Sequence, residues 1–480
     1  MATPIPPNQA RFSVAELRSL FSVVRFPPGF DGVSGVTSDS RNVPRGALFV
    51  ALAGERFDGH AFLSQAASAG ARAVLAEESR LPSLELPPDV AVLAAADTLV
   101  GLGDLGRLHR RRFRGRVAAI GGSAGKTTTK SVCRALLDAA RPGRVHATPG
   151  NLNNRIGVPM TLLTLGESHE LSVIELGTNQ QGEVRELARI VEPEVALLTL
   201  IDLEHTSGLG DIEGVAREEL ALYEAVSARG GTLIGNADDE RLRAALRRFD
   251  AAQKIGYGEH KSAEVRVLER RVASDLRMDL LLDVLGRKVR CRTRLMGRPG
   301  ALAVAAGLAL LSAMHPEGID EEAIQKAVFD AGEAGRSSLG THASGALVLD
   351  DSYNANPASM AAGIESAREL ARAAGRRLTL VLGEMRELGE QSPLEHEKLG
   401  SLAAQAEPYR LLFVAGDMRL AAARARAAGM SAEFFETAEE ARDALRGSLT
   451  PSDLVLLKGS RGVALERVLL EDSERRSNHP

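Results

Sequence analysis

Short apolar runs that end in glycine or polar turns recur along the chain, and stretches with helical spacing separate them. "ALFVAL" (47–52) and "AVLAAA" (91–96) are runs of this kind, and they place a small α/β domain in the N-terminal part. "RVAAIGG" (116–122) reads as a buried strand entering a glycine turn, and "KTTTKSVCRALLDAA" (126–140) as the helix that follows. "LSVIELG" (171–177) and "VALLTLI" (195–201) read as further buried strands. These runs are apolar throughout rather than alternating, which is the signature of strands covered on both faces in a parallel sheet. A further block begins near Gly335. In it "ALVLDDSYNANP" (346–357), "RLTLVLGEM" (377–385), "RLLFVAG" (410–416) and "DLVLLKGSRG" (453–462) are strands that end in polar or glycine turns. That predicts a second open α/β sheet, where ligands collect at the carboxyl ends of the strands. The expected fold class is α/β with three domains, at 1–113, 114–333 and 334–480. "ALAVAAGLALLSAM" (301–314) is the longest strongly apolar stretch. It is shorter than the ~20 residues a bilayer span needs, and its alanines suit a buried helix. The polar tail 473–480 reads as disordered.

Length and charge narrow the reading. The 480 residues fit about three domains. Lys plus Arg total 59 against 63 Asp plus Glu, a net charge of −4, which argues against nucleic acid as the main partner. One basic run, "RLHRRRFRGR" (107–116), reads as a solvated helix end leading into a new domain. The two cysteines, Cys133 and Cys291, cannot form a disulfide framework and suit a reducing cytoplasm. "MATPIPPNQARF" has no basic start followed by an apolar run, so no signal peptide is expected. The expectation is a soluble, cytoplasmic monomer with no membrane insertion.

The candidate chemistry is concentrated in "AIGGSAGKTTTK" (119–130). A strand, a glycine turn and a helix N-terminus in succession can cradle a phosphate. Backbone N–H groups face the anion and the helix dipole favours it. The cradle would run through Gly122, Ser123, Ala124, Gly125, Lys126, Thr127 and Thr128. Lys126 would reach the terminal phosphates and Thr127 would offer a hydroxyl to Mg²⁺. The common phosphate loop has four residues between its glycines. Gly122 and Gly125 have two, and Ile120 stands where the longer pattern has glycine. On this motif alone, an ordinary glycine turn before a helix is the competing reading.

The short form Gly-x-x-Gly-Lys-Thr resembles the nucleotide loop of the Mur ligases, ATP-dependent amide ligases that build the peptide stem of bacterial cell wall. The resemblance extends in order through "SDSR" (38–41), "ALAGERFDGHAF" (51–62), "NLNNRIGVP" (151–159), "ELGTNQQGE" (175–183), "DDSYNANP" (350–357), "GEMRELG" (383–389) and "KGSRG" (458–462). The Asn-rich segment and "DDSYNANP" look like the family member that adds a dipeptide. The implied reaction uses ATP to phosphorylate the terminal carboxylate of UDP-N-acetylmuramoyl-tripeptide. D-Ala-D-Ala then attacks the acyl phosphate, giving the pentapeptide, ADP and phosphate. The implied layout is a UDP-sugar domain, a central ATP domain and a C-terminal domain that closes on ATP and D-Ala-D-Ala.

The resemblance also assigns roles. Glu175 and His205 are implied Mg²⁺ ligands, although a histidine ligand is unusual for that cation. Asn236 and Asp239 match the segment near the base of ATP. Arg336 and Asp351 match contacts to phosphate and ribose. Tyr353, Asn354 and Asn356 are contacts for D-Ala-D-Ala or for the domain joint, with a polar turn after a strand as the bland alternative. Lys458 and Arg461 read as substrate or interdomain contacts. Ser40 and Arg41, with Asn153 and Asn154, supply donors that suit the UDP-sugar. His60 either assists them or builds a turn.

The chain departs from the family at three places. The family has a CO₂-modified lysine at the second Mg²⁺, and Glu219 stands at that position. Glu219, or else Glu218, would supply the same negative charge without CO₂, so activity would not respond to bicarbonate. Pro299, Gly300 and Ala303 replace a His-Asn pair and an Asn, which affects contacts at the adenine end. Gln180 stands where histidine is common. Three other readings compete: a folylpolyglutamate synthase-like ligase, a phosphate-loop switch, and a non-catalytic homologue that binds the UDP-sugar or ATP.

Overall fold

The computed structural model describes residues 6–54, 57–83, 86–332 and 335–469. Glu55 and Arg56 of "ALAGERFDGHAF", the expected boundary at 333/334 and the tail 473–480 lie outside the described residues. The chain divides into two compact units. One comprises Met1–Ala119, Gly143–Gly177 and Glu183–Glu194; the other comprises Ile120–Pro142, Thr178–Gly182 and Val195–Pro480.

The first unit contains a five-stranded sheet in the order Ser22–Arg25, Ala91–Ala95, Ala73–Glu77, Leu48–Val50, Val36–Thr37. All its neighbours are parallel except the Ser22–Arg25 edge. The strands Leu48–Val50 and Ala73–Glu77, apolar except for Glu77 at the end, are covered on both faces. Helix Thr98–Arg112 starts at Asp97, whose carboxylate accepts from the N–H groups of Leu99 and Val100. A first-turn cap of this kind satisfies donors that the helix cannot. The basic run at the other end of this helix is only partly solvated. Arg107 and Arg111 both pair with Glu192. Arg110 is buried and donates to the carbonyls of Val191 and Glu192 and to the Glu194 carboxylate. Three of its arginines are thus engaged inside the unit, while Arg111, Arg112 and Arg114 remain exposed.

The second unit opens with the glycine loop and helix Lys126–Ala140. Strands Val195–Leu198, Thr232–Asn236, Gln253–Gly258 and Val265–Val272 run parallel. Met278–Val284 and Arg287–Thr293 then extend them antiparallel. The apolar stretch forms helix Gly297–Met314. It is long and apolar enough to pass as a membrane span, but 78% of it is buried within the fold. It packs against helix Lys126–Ala140 at Gly307, where a Cβ would come 2.6 Å from Val132. The C-terminal sheet has the order Ser338–Thr341, Leu347–Asp351, Asp453–Lys458, Arg377–Gly383, Arg410–Val414, Glu433–Phe435. Only its first edge is antiparallel. Apolar clusters cover both faces. The architecture is α/β, and the carboxyl ends of Leu347–Asp351, Asp453–Lys458 and Arg377–Gly383 stand together at one end of this sheet.

Candidate active site

The glycine loop takes a shape only glycine supports. Gly122 and Gly125 have φ of 114° and 82°, in the left-handed region. A Cβ on Gly122 would lie 2.3 Å from Thr199 Oγ1, so the loop is pressed against the segment that follows strand Val195–Leu198. Three bonds fix its first half. Ser123 N–H donates to Leu200 O, Ser123 Oγ accepts from Asp202 N–H, and Gly122 N–H donates to Glu219 Oε2 (2.7 Å). The N–H groups of Ala124 and Gly125, which precede the first turn of helix Lys126–Ala140, have no protein acceptor among the described residues. Free N–H groups beside a helix N-terminus make an anion site.

A charge cluster lies beneath the loop. Lys126 Nζ donates to Gly122 O and stands 3.7 Å from Glu204 Oε2. Glu204 and Glu219 are both buried, and each has one side-chain oxygen, Oε1, with no hydrogen-bond partner among the described residues. Burial raises the Glu204 carboxyl above its ordinary range, against the pull of Lys126 and His205. Burial likewise pushes Glu219 up to about 8, opposed by Lys126 and by the Gly122 N–H bond and reinforced by Glu204. Buried carboxylates with unfilled lone pairs are costly unless a cation or proton satisfies them. Glu218 differs: Thr178 Oγ1 and Gly182 N–H fill both its oxygens.

His205 has φ of 47° and its Nδ1 lies 2.6 Å from Glu387 Oε2; Glu387 also has a positive φ, 67°. Thr206 Oγ1 donates to Leu388 O beside them. Burial alone would lower the His205 pKa, but the bond to Glu387 and the Glu204 charge outweigh it and leave it raised. The same bond holds Glu387 below the ordinary carboxylate range.

Three models match the chain: the Mur ligase middle domain at residues 120–311, the Mur ligase glutamate ligase domain at 335–461, and the Mur ligase family catalytic domain at 32–100. The UDP-N-acetylmuramoyl-tripeptide–D-alanyl-D-alanine ligase of Escherichia coli is 33% identical over 450 residues, covering 91% of this chain and 93% of that one. The chain belongs to the Mur ligase family. The ligase of the same name from Bacillus subtilis is 31% identical over 447 residues, covering 91% and 92% of the two chains. A crystal structure of MurF from Acinetobacter baumannii superposes with a TM-score of 0.83 at 28% identity, over 96% of this chain and 98% of that one.

Several of the expected Mur ligase residues turn out to be engaged within the fold. Asn236 Nδ2 donates to Thr199 O, and Asp239 accepts from Ile201 N–H while capping helix Glu240–Arg248. Both hold the segment under the loop. Lys458 is buried. Its ammonium lies 2.5 Å from Asp351 Oδ2 and donates to Asn354 O (3.2 Å). Asp351 Oδ1 accepts from Ser337 N–H, and the Arg336 guanidinium lies 4.2 Å over the Tyr353 ring. Arg461 is half exposed and pairs with Glu466. Asn356 is buried and donates to Ser123 O (3.1 Å). In the departing segment, a Cβ on Gly297 would meet Ser366 Oγ at 1.9 Å, and Arg298 pairs with Asp238 and Glu259.

In the first unit, Glu175 is buried and its Oε1 accepts from Asn153 Nδ2 (2.8 Å), so it is not a solvated strand end. Asn154 Oδ1 accepts from Ile156 and Gly157 N–H, starting the next helix. Ser40 is buried, while Arg41 is exposed and folded back on Asp39. His60 builds a turn, bonding Asp58 and accepting from Glu77 N–H. Sequence reasoning missed Glu204. Its neighbour His205 drew attention, but nothing local distinguishes "LEH" as the place where a carboxylate is buried next to Lys126.

Proposed function

We propose that the protein joins D-Ala-D-Ala to UDP-N-acetylmuramoyl-tripeptide through an acyl phosphate, converting ATP to ADP and phosphate. The supporting observation is the loop with unfilled N–H groups at Ala124 and Gly125 above Lys126 and two buried carboxylates. A carboxylate is a poor electrophile, and phosphorylation turns its oxygen into a leaving group. Phosphoryl transfer depends on positioning and charge neutralisation. The loop N–H groups and the N-terminus of helix Lys126–Ala140 bind phosphate oxygens. Lys126 balances charge on the transferred group. Ser40, Arg41, Asn153 and Asn154 hold the UDP-sugar. Arg336 and Asp351 serve the nucleotide, and Tyr353 and Asn354 serve the dipeptide or the joint. Exclusion of water protects the acyl phosphate from hydrolysis.

Mg²⁺ uses few protein carboxylates and completes its shell with water and phosphate oxygens. No ready-made cage of three acidic, His or Cys ligands exists among the described residues. The two unpartnered buried oxygens of Glu204 and Glu219 fit that limited demand. Thr127, Glu175 and His205 are the other proposed ligands. When bound, the cation would neutralise phosphate charge. The enzyme is proposed to act as a cytoplasmic monomer.

The test is phosphate release from MgATP with each co-substrate present or omitted, alongside Lys126→Ala. The expected result is release that requires both co-substrates and is lost in the variant. Release without either co-substrate would favour a phosphate-loop switch. Release with a folate and glutamate instead would favour the folate ligase reading.

A further inference from the structure

We propose that Asn356 is a positioning residue that aims the phosphate-binding N–H of Ala124, rather than a contact to D-Ala-D-Ala. The inference rests on the nucleotide reading of the loop. Asn356 is the N-cap of helix Pro357–Ala374 and is 8% exposed. Its Oδ1 accepts from Ser359 N–H (2.9 Å), and its Nδ2 donates to Ser123 O (3.1 Å). The cap needs an acceptor and the carbonyl needs a donor, so the amide has only one orientation that serves both. Its side-chain polar atoms face these two partners.

The bond to Ser123 O acts one residue further on. In a planar trans peptide the C=O and the following N–H point in opposite directions. No cis bond is present among the described residues, so holding the Ser123 carbonyl sets the direction of the Ala124 N–H. The bonds to Gly122 N–H, Ser123 N–H and Ser123 Oγ fix only the loop upstream of that peptide. Gly125, at φ 82°, gives the loop freedom on the downstream side. Asn356 therefore holds the peptide plane that decides whether Ala124 N–H faces the anion.

Asn356 is itself braced. Lys458, at the end of strand Asp453–Lys458, ties Asp351 to Asn354 O across the turn that leads to Asn356. A buried ammonium with two acceptors makes that turn stiff. The C-terminal part of the chain thus reaches the phosphate loop through this side-chain amide. A residue that merely glued the two together would affect stability and leave turnover unchanged.

Asn356→Ser and Asn356→Asp separate these roles. Both retain an N-cap oxygen, so the helix start is preserved. Neither can donate an amide N–H to Ser123 O. The measurements are steady-state kinetics, thermal unfolding, and calorimetric binding of a non-hydrolysable ATP analogue with Mg²⁺. The expected result is a kcat reduced at least ~tenfold and weaker analogue binding. KM for D-Ala-D-Ala should stay within ~threefold, and the unfolding midpoint should be nearly unchanged. Wild-type kcat and analogue affinity in both variants would overturn the proposal. So would a rise in KM for D-Ala-D-Ala alone, which would make Asn356 a substrate contact. Failure of the unmodified protein to bind the analogue would instead sink the nucleotide reading on which the inference stands.

Discussion

Glu219→Gln should make the protein more stable and less active. The carboxyl is fully buried, and its own burial raises it from an ordinary 4.5 to about 8. The folded group therefore holds its proton between those values while the unfolded group does not. Stability that is complete below pH 4.5 is lost progressively as pH rises to about 8. At pH 7 the loss is ~3 kcal/mol, from ~1.4 kcal/mol per unit over the interval in which only the unfolded chain is ionised. Glutamine keeps the shape and can still accept from Gly122 N–H, but carries no charge. Urea unfolding with a chelator present should show the variant level with the parent near pH 4.5 and increasingly more stable up to pH 8. The same variant should lose more than ~tenfold in Mg²⁺-dependent turnover, and the parent's activity should be indifferent to bicarbonate. A stability difference that does not change with pH, or a variant less stable at pH 8, would refute the reasoning. It would mean that Lys126 already compensates the charge.

Three further outcomes follow from the geometry. Lys458→Met should cost ~2 kcal/mol by stranding Asp351, and adding Asp351→Asn should restore part of it; purely additive losses in denaturant melts would contradict the pairing. Arg110→Ala should destabilise the protein by ~2 kcal/mol through its four lost acceptors, with retention on heparin unchanged. The His205–Glu387 bond should weaken with alkali. His205 is raised, so its contribution is complete below the ordinary histidine value of 6.5 and is lost as pH rises through the higher folded value. Hydrogen exchange at 203–210 and 386–391 should then quicken with pH beyond its intrinsic rise, and Glu387→Gln should remove that excess.

The parts of the site legible in the sequence are those built locally. Strand Arg116–Gly121, the loop and helix Lys126–Ala140 follow one another, so spacing and glycine placement announce them. The C-terminal strands were legible because full burial makes them uniformly apolar, as in "LVLL" of Asp453–Lys458. Edge strands were not: Ser338–Thr341 and Glu433–Phe435 are short and only partly buried. The strand pair Met278–Val284 and Arg287–Thr293 carries Arg, Asp and Lys on its open face and gives no continuous apolar run. Long-range chemistry was the least visible. Glu219 meets Gly122 across 97 residues and Asn356 meets Ser123 across 233, and no local pattern encodes either meeting. Lys458 reads from the sequence as a substrate or interdomain contact, because lysine is rarely buried unless paired and its partner lies 107 residues away.

The central claim is that the loop serves to activate a carboxylate. It is tested most directly by labelling both oxygens of the tripeptide's terminal carboxylate with a heavy isotope and turning the reaction over with unlabelled ATP and D-Ala-D-Ala. An acyl phosphate requires one labelled oxygen to leave with each phosphate released. Label that stays wholly in the peptide product, with ATP still consumed, would contradict the account.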